Sequence, residues 1–309
     1  MMHELRFQDR KTAVHRLHAV VKLAWGAAII ILCLIYDHPV FLLSLSVVVA
    51  LLLISAGVWR EWSVVLKLGL WLGASIIVIN ALVSYHGNHV LAVAPFTLPV
   101  LGRPAITLEA IAYGAGMAVK LLTIISAFAF INLTVHPDDI MLVLLKLKLP
   151  YKSVLVTSLS LRFIPCLVDD VRRINDAYRT RGVRLDTGSR FGKIKKRAVI
   201  IIPLLSNSLD RAVQVAEAME ARAFGSGKER TFYRDIRLSR TDGILALSVL
   251  LPLGAGTWIR FSGHGSADYY PDLALLDFSG PVFLMAGILA ALLLVVLPLA
   301  RIRKGAWLD

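Results

Sequence analysis

The sequence has few of the residues that support disulfide frameworks, metal centres or catalysis inside a membrane. Cysteine occurs only as Cys33 and Cys166, which argues against disulfide pairing and against a thiolate metal site. The apolar runs lack clusters of acids, histidines or nucleophiles, and the chain has no inverted internal repeat. A membrane-embedded enzyme or a self-sufficient secondary carrier is therefore the weaker alternative. We expect no cofactor and no resident metal.

Two local motifs are also incomplete. Residues 225–228 read Gly-Ser-Gly-Lys, but a phosphate-binding loop would need glycine in place of Arg222 and Ser or Thr in place of Glu229. The basic run from Lys193 to Arg197 has no interleaved aromatic residues. We therefore expect no nucleotide site and no nucleic-acid partner, and we expect the basic run to face lipid headgroups.

Long apolar runs dominate the chain instead. The sequence is 57% hydrophobic and its mean hydropathy is +0.70, whereas soluble domains contain roughly 45 to 50% apolar residues. Several runs approach the roughly 20 residues that are needed to cross a bilayer. The predicted fold is an all-α polytopic membrane protein with about six transmembrane helices. The predicted spans are 23–35, 40–58, 63–84, 107–133, 243–259 and 281–300.

The distribution of positive charge predicts the orientation in the membrane. The formal net charge is +13, and 21 of the 34 Lys and Arg residues lie between Thr134 and Arg240. Because Lys and Arg gather on the cytoplasmic side, this segment and both termini are predicted to be cytoplasmic. The chain then divides into N-terminal spans (1–133), a cytoplasmic or interfacial region of amphipathic helices (134–240), and a C-terminal hairpin with a basic tail (241–309).

The fourth predicted span carries two unusual features. Ala110, Gly114 and Ala118 recur every fourth residue, and such a stripe of small residues allows close packing of another helix. Lys120 lies near the middle of the same span, where an ionisable side chain indicates a functional contact. Either Lys120 contacts a carbonyl or an acid on a neighbouring helix or partner, or the span boundaries are shifted and Lys120 lies in a polar interface.

Two amphipathic helices are predicted within residues 134–240, and their ends are similar. The first ends in Thr180-Arg181-Gly182 and the second in Ala221-Arg222-Ala223. An arginine in the last turn of a helix interacts favourably with the helix dipole in any protein, by about 0.3 to 1 kcal/mol. The alternative interpretation is docking, because small neighbours leave a guanidinium free to pair bidentately with a carboxylate in a groove on a partner.

These motifs and others along the chain resemble the transmembrane T components of energy-coupling factor (ECF) importers, the CbiQ and EcfT family. The resemblance covers most of the chain. It is carried by His15-Arg16-Leu17 with Lys22, Leu149-Pro150, Arg162-Phe163-Ile164-Pro165, Asp176-Ala177 before Thr180, Ala218 to Gly225, and Thr231.

The resemblance implies a non-catalytic subunit of a vitamin or metal-ion importer in a bacterial or archaeal cell membrane. In that family, two coupling helices end in Ala-Arg-Gly, and their arginines seat in grooves on two ABC-type ATPase subunits. Arg181 and Arg222 match those positions. The family's ATPases would move the coupling helices and so drive a separate substrate-binding S component to reorient.

The sequence departs from the family pattern at three positions. Thr180 replaces the first alanine and Ala223 the second glycine, so the second turn is expected to be weaker. Lys120 replaces a usual arginine, which argues against a bidentate contact there. Pro165 and Pro203 either bend the coupling helices, or they start or kink a helix without further function. Supporting roles in the coupling helices are predicted for Arg162, Pro165, Pro203, Arg211 and Glu220.

Overall fold

The computed structural model describes most of the chain, and most of what it describes is helical. The described residues are 12, 14–15, 17–84, 87–93, 105–146, 150–182, 198–227, 240–263, 265, 267, 269 and 278–295. Several residues named above lie outside them: Arg16, Leu149, the run 193–197, Lys228, Glu229, Thr231 and both chain termini with the basic tail.

The elements follow one another along the chain with two short strands between the third and fourth helices. The helices are α1 (Ala19–Ile35), α2 (Pro39–Ser55), α3 (Trp59–Val83), α4 (Leu108–Thr134), α5 (Pro137–Lys146), α6 (Tyr151–Thr180), α7 (Ile201–Ala221), α8 (Arg240–Leu247), α9 (Leu250–Phe261) and α10 (Gly280–Leu294). A 3-10 turn, Ala198–Ile200, precedes α7. Strands β1 (Val90–Val93) and β2 (Ala105–Thr107), which the sequence did not predict, pair antiparallel.

Side chains close the N-terminal ends of the first two helices. A ring nitrogen of His18 accepts from the Val20 N–H at 3.1 Å, and His38 accepts from the Val40 N–H at 3.3 Å. Each histidine thus satisfies one of the backbone donors that a helix start leaves without a partner. Pro39 stands in the first turn of α2, where its missing N–H costs no intrahelical bond.

Apolar helices occupy all six predicted spans. α3, α4 and the segment Asp242–Phe261 are long and apolar enough to cross a membrane, and α1, α2 and α10 are shorter apolar helices. The prediction of an all-α polytopic membrane protein is confirmed. Residues Ala198–Ala221 also have the necessary length and hydropathy. Their predicted place in the cytoplasmic or interfacial region stays a prediction.

The chain divides into two compact units. We call Met1–Ile140 with Leu238–Asp309 the membrane unit, and Met141–Arg237 the helix-pair unit. In the membrane unit, α4 packs against α1, α2 and α3, while α2 also packs against α10. The largest fully buried side chains of this unit belong mainly to α1 and α2 and the residues between them: Trp25, Ile29, Leu32, Tyr36, Phe41, Leu42, Leu45, Leu52 and Leu53.

α1 lies antiparallel to the second half of α4. At one end, the Lys22 ammonium donates to the Thr134 carbonyl at 2.7 Å, and at the other end Lys120 donates to the Leu34 carbonyl at 3.3 Å. The connection between α1 and α2 therefore lies beside the middle of α4. From Lys120, α4 continues for about 18 Å to its first residue, at 1.5 Å per residue.

Candidate functional site

Arg181 is the residue at which α6 ends. Gly182 follows it with φ +78°, a left-handed conformation that glycine adopts without a Cβ clash. The Gly182 N–H donates to the Arg179 carbonyl at 3.0 Å, and the Thr180 hydroxyl donates to the Ala177 carbonyl at 2.9 Å. Arg181 and both of its neighbours are exposed. A closed backbone turn thus places an exposed arginine at the end of the helix.

Arg222 occupies the same position at the end of α7. Ala223 follows it with φ +54° and is the one non-glycine residue with positive φ in the described part of the chain. The Ala223 N–H donates to the Glu220 carbonyl at 2.8 Å, and the Phe224 N–H donates to the Met219 carbonyl at 2.9 Å. These are the two hydrogen bonds of a Schellman motif. Although Ala223 departs from the family pattern, its turn has the same left-handed form as that of Gly182.

The two left-handed residues lead to opposite stability predictions. Ala223→Gly should raise the free energy of unfolding by about 1 kcal/mol, because the left-handed region costs an L-residue about 1 to 2 kcal/mol and glycine adds some entropy to the unfolded chain. Gly182→Ala should lower it by about the same amount. Thermal unfolding of the purified chain in detergent measures both effects.

A glycine inside a helix provides the control for these variants. A Cβ added to Gly254 in α9 meets nothing within 4 Å. Gly254→Ala should therefore be neutral or stabilising, since alanine is the better helix former by about 1 kcal/mol. A fall in the unfolding midpoint of Ala223→Gly, or an unchanged midpoint for Gly182→Ala, would contradict the left-handed assignment.

An ion pair with a buried carboxylate joins α6 and α7. The Arg211 guanidinium donates to the Asp170 carboxylate at 2.8 Å, and the Asp170 side chain is only 7% exposed. Arg173, one turn further along α6, lies 3.5 Å from the same carboxylate. The sequence assigns Arg211 a structural role but gives no signal for Asp170, which stands beside Asp169 on a helix rich in charge.

The other predicted residues of the two helices lie in different environments. Pro165 lies inside α6, where it removes a backbone hydrogen bond. Pro203 lies in the first turn of α7, where the missing N–H has no intrahelical partner to lose, so it starts the helix. Arg162 and Glu220 are exposed. Their supporting roles stay predictions.

The stripe of small residues on α4 lies where α4 meets α3. A Cβ added to Gly114 would stand 3.0 Å from the Ile77 Cα, and one added to Gly73 would stand 3.1 Å from the Ala118 Cβ. Ala110 is fully buried. Because the nearest atom to Gly114 belongs to the backbone of α3, the two helices approach closely at this glycine.

Lys120 contacts the connection between α1 and α2. Its ammonium lies 2.9 Å from the Asp37 carboxylate and 3.3 Å from the Leu34 carbonyl. The Lys120 side chain is 15% exposed and the Asp37 side chain 48%. Its contacts are thus an acid in this connection and a carbonyl near the end of α1. The sequence could name neither, because both lie more than 80 positions away.

Later segments complete the hydrogen bonding of this connection. The Arg260 guanidinium donates to the Ile35 carbonyl at 3.2 Å, and the Tyr269 hydroxyl donates to the Asp37 carbonyl at 3.0 Å. The Asp37 N–H donates to the Gly265 carbonyl at 3.2 Å. Burial, followed by the nearby Asp37 carboxylate, raises the pKa of Tyr269 to about 12, so this hydroxyl keeps its proton at neutral pH.

A cavity of about 240 Å³ lies beside this ion pair. Its lining includes Asp37, Tyr113, Gly116, Lys120 and Tyr269. Among the residues that the structure describes, no group of three or more His, Cys, Asp or Glu side chains could hold a metal ion. The side chains around the cavity offer a cation, a carboxylate and two phenol rings. Lys120 and Asp37 among them also contribute to the contacts that hold α1, α2 and α4 together.

The membrane unit and the paired, arginine-ended helices define a multi-pass membrane protein with a charged helical segment between its spans. The family model described as a cobalt transport protein, CbiQ, matches residues 10–233, which is more than two thirds of the chain. The chain belongs to the CbiQ family.

Several curated relatives carry the name energy-coupling factor transporter transmembrane protein EcfT. The protein from Listeria innocua is 34% identical over 168 residues, which cover 52% of this chain and 63% of the relative. The protein from Limosilactobacillus fermentum is 29% identical over 249 residues, which cover 78% of this chain and 90% of the relative. A putative ABC transporter ATP-binding protein from Bifidobacterium longum is 39% identical over 101 residues, covering 33% of this chain and 13% of that protein. The chain thus spans less than two thirds of the Listeria relative that it matches.

Proposed function

We propose that this chain is the transmembrane energy-coupling component of an ECF-type ABC importer. It transmits the movement of two cytoplasmic ATPase subunits to a substrate-binding S component, which carries a vitamin or a transition-metal ion. ATP is hydrolysed by the partner subunits. The observation that carries the proposal is that two separate helices each end in an exposed arginine followed by a left-handed residue.

The geometry of the helix ends supports docking over a purely local role. Each turn satisfies its own backbone, as the hydrogen bonds from Gly182 and Ala223 illustrate. A Cβ added to Gly182 or Gly225 meets nothing within 4 Å, so there is open space around both ends. The helix dipole accounts for a cation at the C-terminal end of each helix, but it requires neither the small neighbours nor the open space. A planar guanidinium entering a carboxylate-lined groove requires both.

The names of the relatives support ATPases as partners. The Listeria and Limosilactobacillus proteins are named as energy-coupling factor transporter components. The Bifidobacterium protein is named an ATP-binding protein, and the segment similar to this chain forms only 13% of it. A segment similar to part of this chain therefore occurs in a polypeptide that is named an ATP-binding protein.

The exposed apolar surface of the helix-pair unit supports a membrane or S-component contact. Ile164 on α6 and Ile202, Leu205 and Leu209 on α7 are all more than half exposed. Large apolar side chains exposed in this way are typical of an interaction site or a lipid contact. We propose that α6 and α7 lie at the cytoplasmic face of the bilayer, with both chain termini on the same side.

Charge reversal of the two arginines tests the proposal. The chain is co-expressed with candidate ATPases, purified through its own tag, and compared with Arg181→Glu, Arg222→Glu and the double variant. Less ATPase should copurify with each single variant than with the unchanged chain, and none with the double variant. The reason is that a glutamate would repel the carboxylates of the groove.

Arg172→Glu is the matched control. Its side chain lies on α6 and is 69% exposed, so the variant reverses the same charge on the same helix away from its end. ATPase recovery should equal that of the unchanged chain. Equal recovery by the double variant and the control, or no recovery by the unchanged chain, would remove the support for docking at the helix ends.

A further inference from the structure

We infer that the ion pair between Asp170 and Arg211 is the pivot of the helix-pair unit and holds Arg181 and Arg222 in a fixed mutual position. Asp170 and Arg211 are thus positioning residues for the two proposed docking arginines. The inference rests on the proposed function for its purpose, although the geometry can be tested on this chain alone.

The spacing along the two helices is the same. Arg181 lies eleven positions after Asp170 on α6, and Arg222 lies eleven positions after Arg211 on α7. Eleven residues make about three helical turns and a rise of about 16 Å. Arg181 therefore lies on the same face of α6 as Asp170, and Arg222 on the same face of α7 as Arg211, each about 16 Å further along its helix.

The two helices run in opposite directions. Near the start of α6, the Tyr151 ring lies 6.5 Å from the Phe224 ring, which follows the end of α7. Further along α6, Asp170 meets Arg211, which precedes Phe224 in the chain. Moving forward along α6 thus corresponds to moving backward along α7. Arg181 and Arg222 consequently lie on opposite sides of the ion pair and at equal distances from it.

This arrangement is close to twofold symmetric about an axis through the ion pair. Two copies of an ATPase that associate through the same surface are themselves related by a twofold axis. Equal and opposite displacement of the two arginines is the geometry that such a pair requires. The two helices differ in sequence, so the apparent symmetry rests only on the equal spacing of Arg181 and Arg222 from the ion pair.

Few side chains are buried between the two helices in the part of the chain that the structure describes. Among the described residues, α6 buries only Val154 and Asp170, and α7 buries none. An apolar core, which positions most packed helices, is therefore slight between them. The buried Asp170 carboxylate instead joins them through Arg211, and Arg173 of α6 lies beside the same carboxylate. Loss of this contact would leave the two helices free to shift against each other.

Distance measurement between two spin labels tests the pivot. The labels are attached at Thr180→Cys and Ala221→Cys in a full chain carrying Cys33→Ala and Cys166→Ser, in lipid nanodiscs without ATPase. All samples also carry Arg173→Gln, because the Arg173 charge would oppose Asp170→Arg. The samples compared are this parent, Asp170→Arg, Arg211→Asp and the variant that combines both reversals.

We expect one narrow distance distribution in the parent, its loss in each single reversal, and its return when the two reversals are combined. Asp169→Arg is the matched control, since it reverses the neighbouring, 59% exposed carboxylate, and it should keep the narrow distribution. Should a single reversal prevent folding, Asp170→Asn and Arg211→Gln replace the reversals with the same expected loss.

Two results would overturn the pivot: a narrow distribution in either single variant, or a broad one that persists when both reversals are combined. Because no ATPase is present, these results do not depend on docking. Failure of the co-purification experiment with a successful distance experiment would overturn the proposed function and leave the pivot as a property of the chain. The opposite combination would overturn the pivot alone.

Discussion

Asp37→Leu should lower the free energy of unfolding of the chain by about 2 to 3 kcal/mol. The substitution removes the carboxylate that lies 2.9 Å from the Lys120 ammonium and leaves that cation, only 15% exposed, without its acid beside the connection between α1 and α2. Removing one partner of a fully buried pair costs about 3 to 5 kcal/mol. The expected value is smaller because the Asp37 side chain is 48% exposed and water screens part of the attraction.

The partner substitution should be milder, which makes the prediction specific. Lys120→Met leaves Asp37 without its cation, but that carboxylate has access to water, so the expected cost is about 1 kcal/mol. The double variant removes both charges and should be more stable than Asp37→Leu alone. Thermal unfolding of the four proteins measures the coupling energy.

A more exposed carboxylate provides the control for this comparison of four proteins. Asp169→Leu removes a carboxylate that is 59% exposed on α6 and should change the stability by no more than about 0.5 kcal/mol. The ion pair does not stabilise the chain in this way if Lys120→Met is as destabilising as Asp37→Leu, or if the two effects simply add in the double variant.

Gly114→Leu should destabilise the membrane unit by about 3 kcal/mol, at the upper end of the usual cost of overpacking. The new Cβ would stand 3.0 Å from the Ile77 Cα. A side chain in its path could rotate away, but the backbone of α3 cannot, so α3 and α4 must separate. Where small residues allow close packing in a membrane, separation loses van der Waals contact along the whole interface.

Gly287→Leu is the matched control for Gly114→Leu. Gly287 lies in α10, and a Cβ added there meets nothing within 4 Å. Both variants exchange a helical glycine for leucine in an apolar span, so differences in helix propensity cancel. Thermal unfolding in detergent and the rate of limited proteolysis should change for Gly114→Leu only. Equal behaviour of the two variants would show that close packing at α3 and α4 contributes little.

Local patterns are sufficient to predict the helices of this chain but not all of their ends. Apolar runs and charge distribution give the six spans, because these properties are read within about 20 residues. The apolar pattern predicts that the third span begins at residue 63, yet α3 begins at Trp59. Its first turn contains Arg60 and Glu61, which resemble an interfacial loop in sequence. An acid in the first turn of a helix is favourable for the helix dipole, and the helix extends through it.

The helix ends were predictable from sequence for the same reason, whereas the ion pairs were not. Arg181 and Gly182 stand next to each other, and a glycine after the last turn is a local stop signal. Ala223 carries no such signal, and only the structure gives its left-handed φ. The partners of Lys120 and Arg211 depend on which helices are neighbours, and they lie 83 and 41 positions away. A single sequence contains no measure of that proximity.

The hydrogen bonds around the first connection also bear on how the chain is made. The Ile35 carbonyl receives its donor from Arg260, 225 positions later. At about 5 to 20 residues per second, the ribosome needs roughly 10 to 45 seconds to reach that arginine. Meanwhile the carbonyl must be satisfied by water or by the insertion machinery, since an unsatisfied backbone group in hydrocarbon costs several kcal/mol. The N-terminal hairpin is thus synthesised first but finished only when the C-terminal helices arrive.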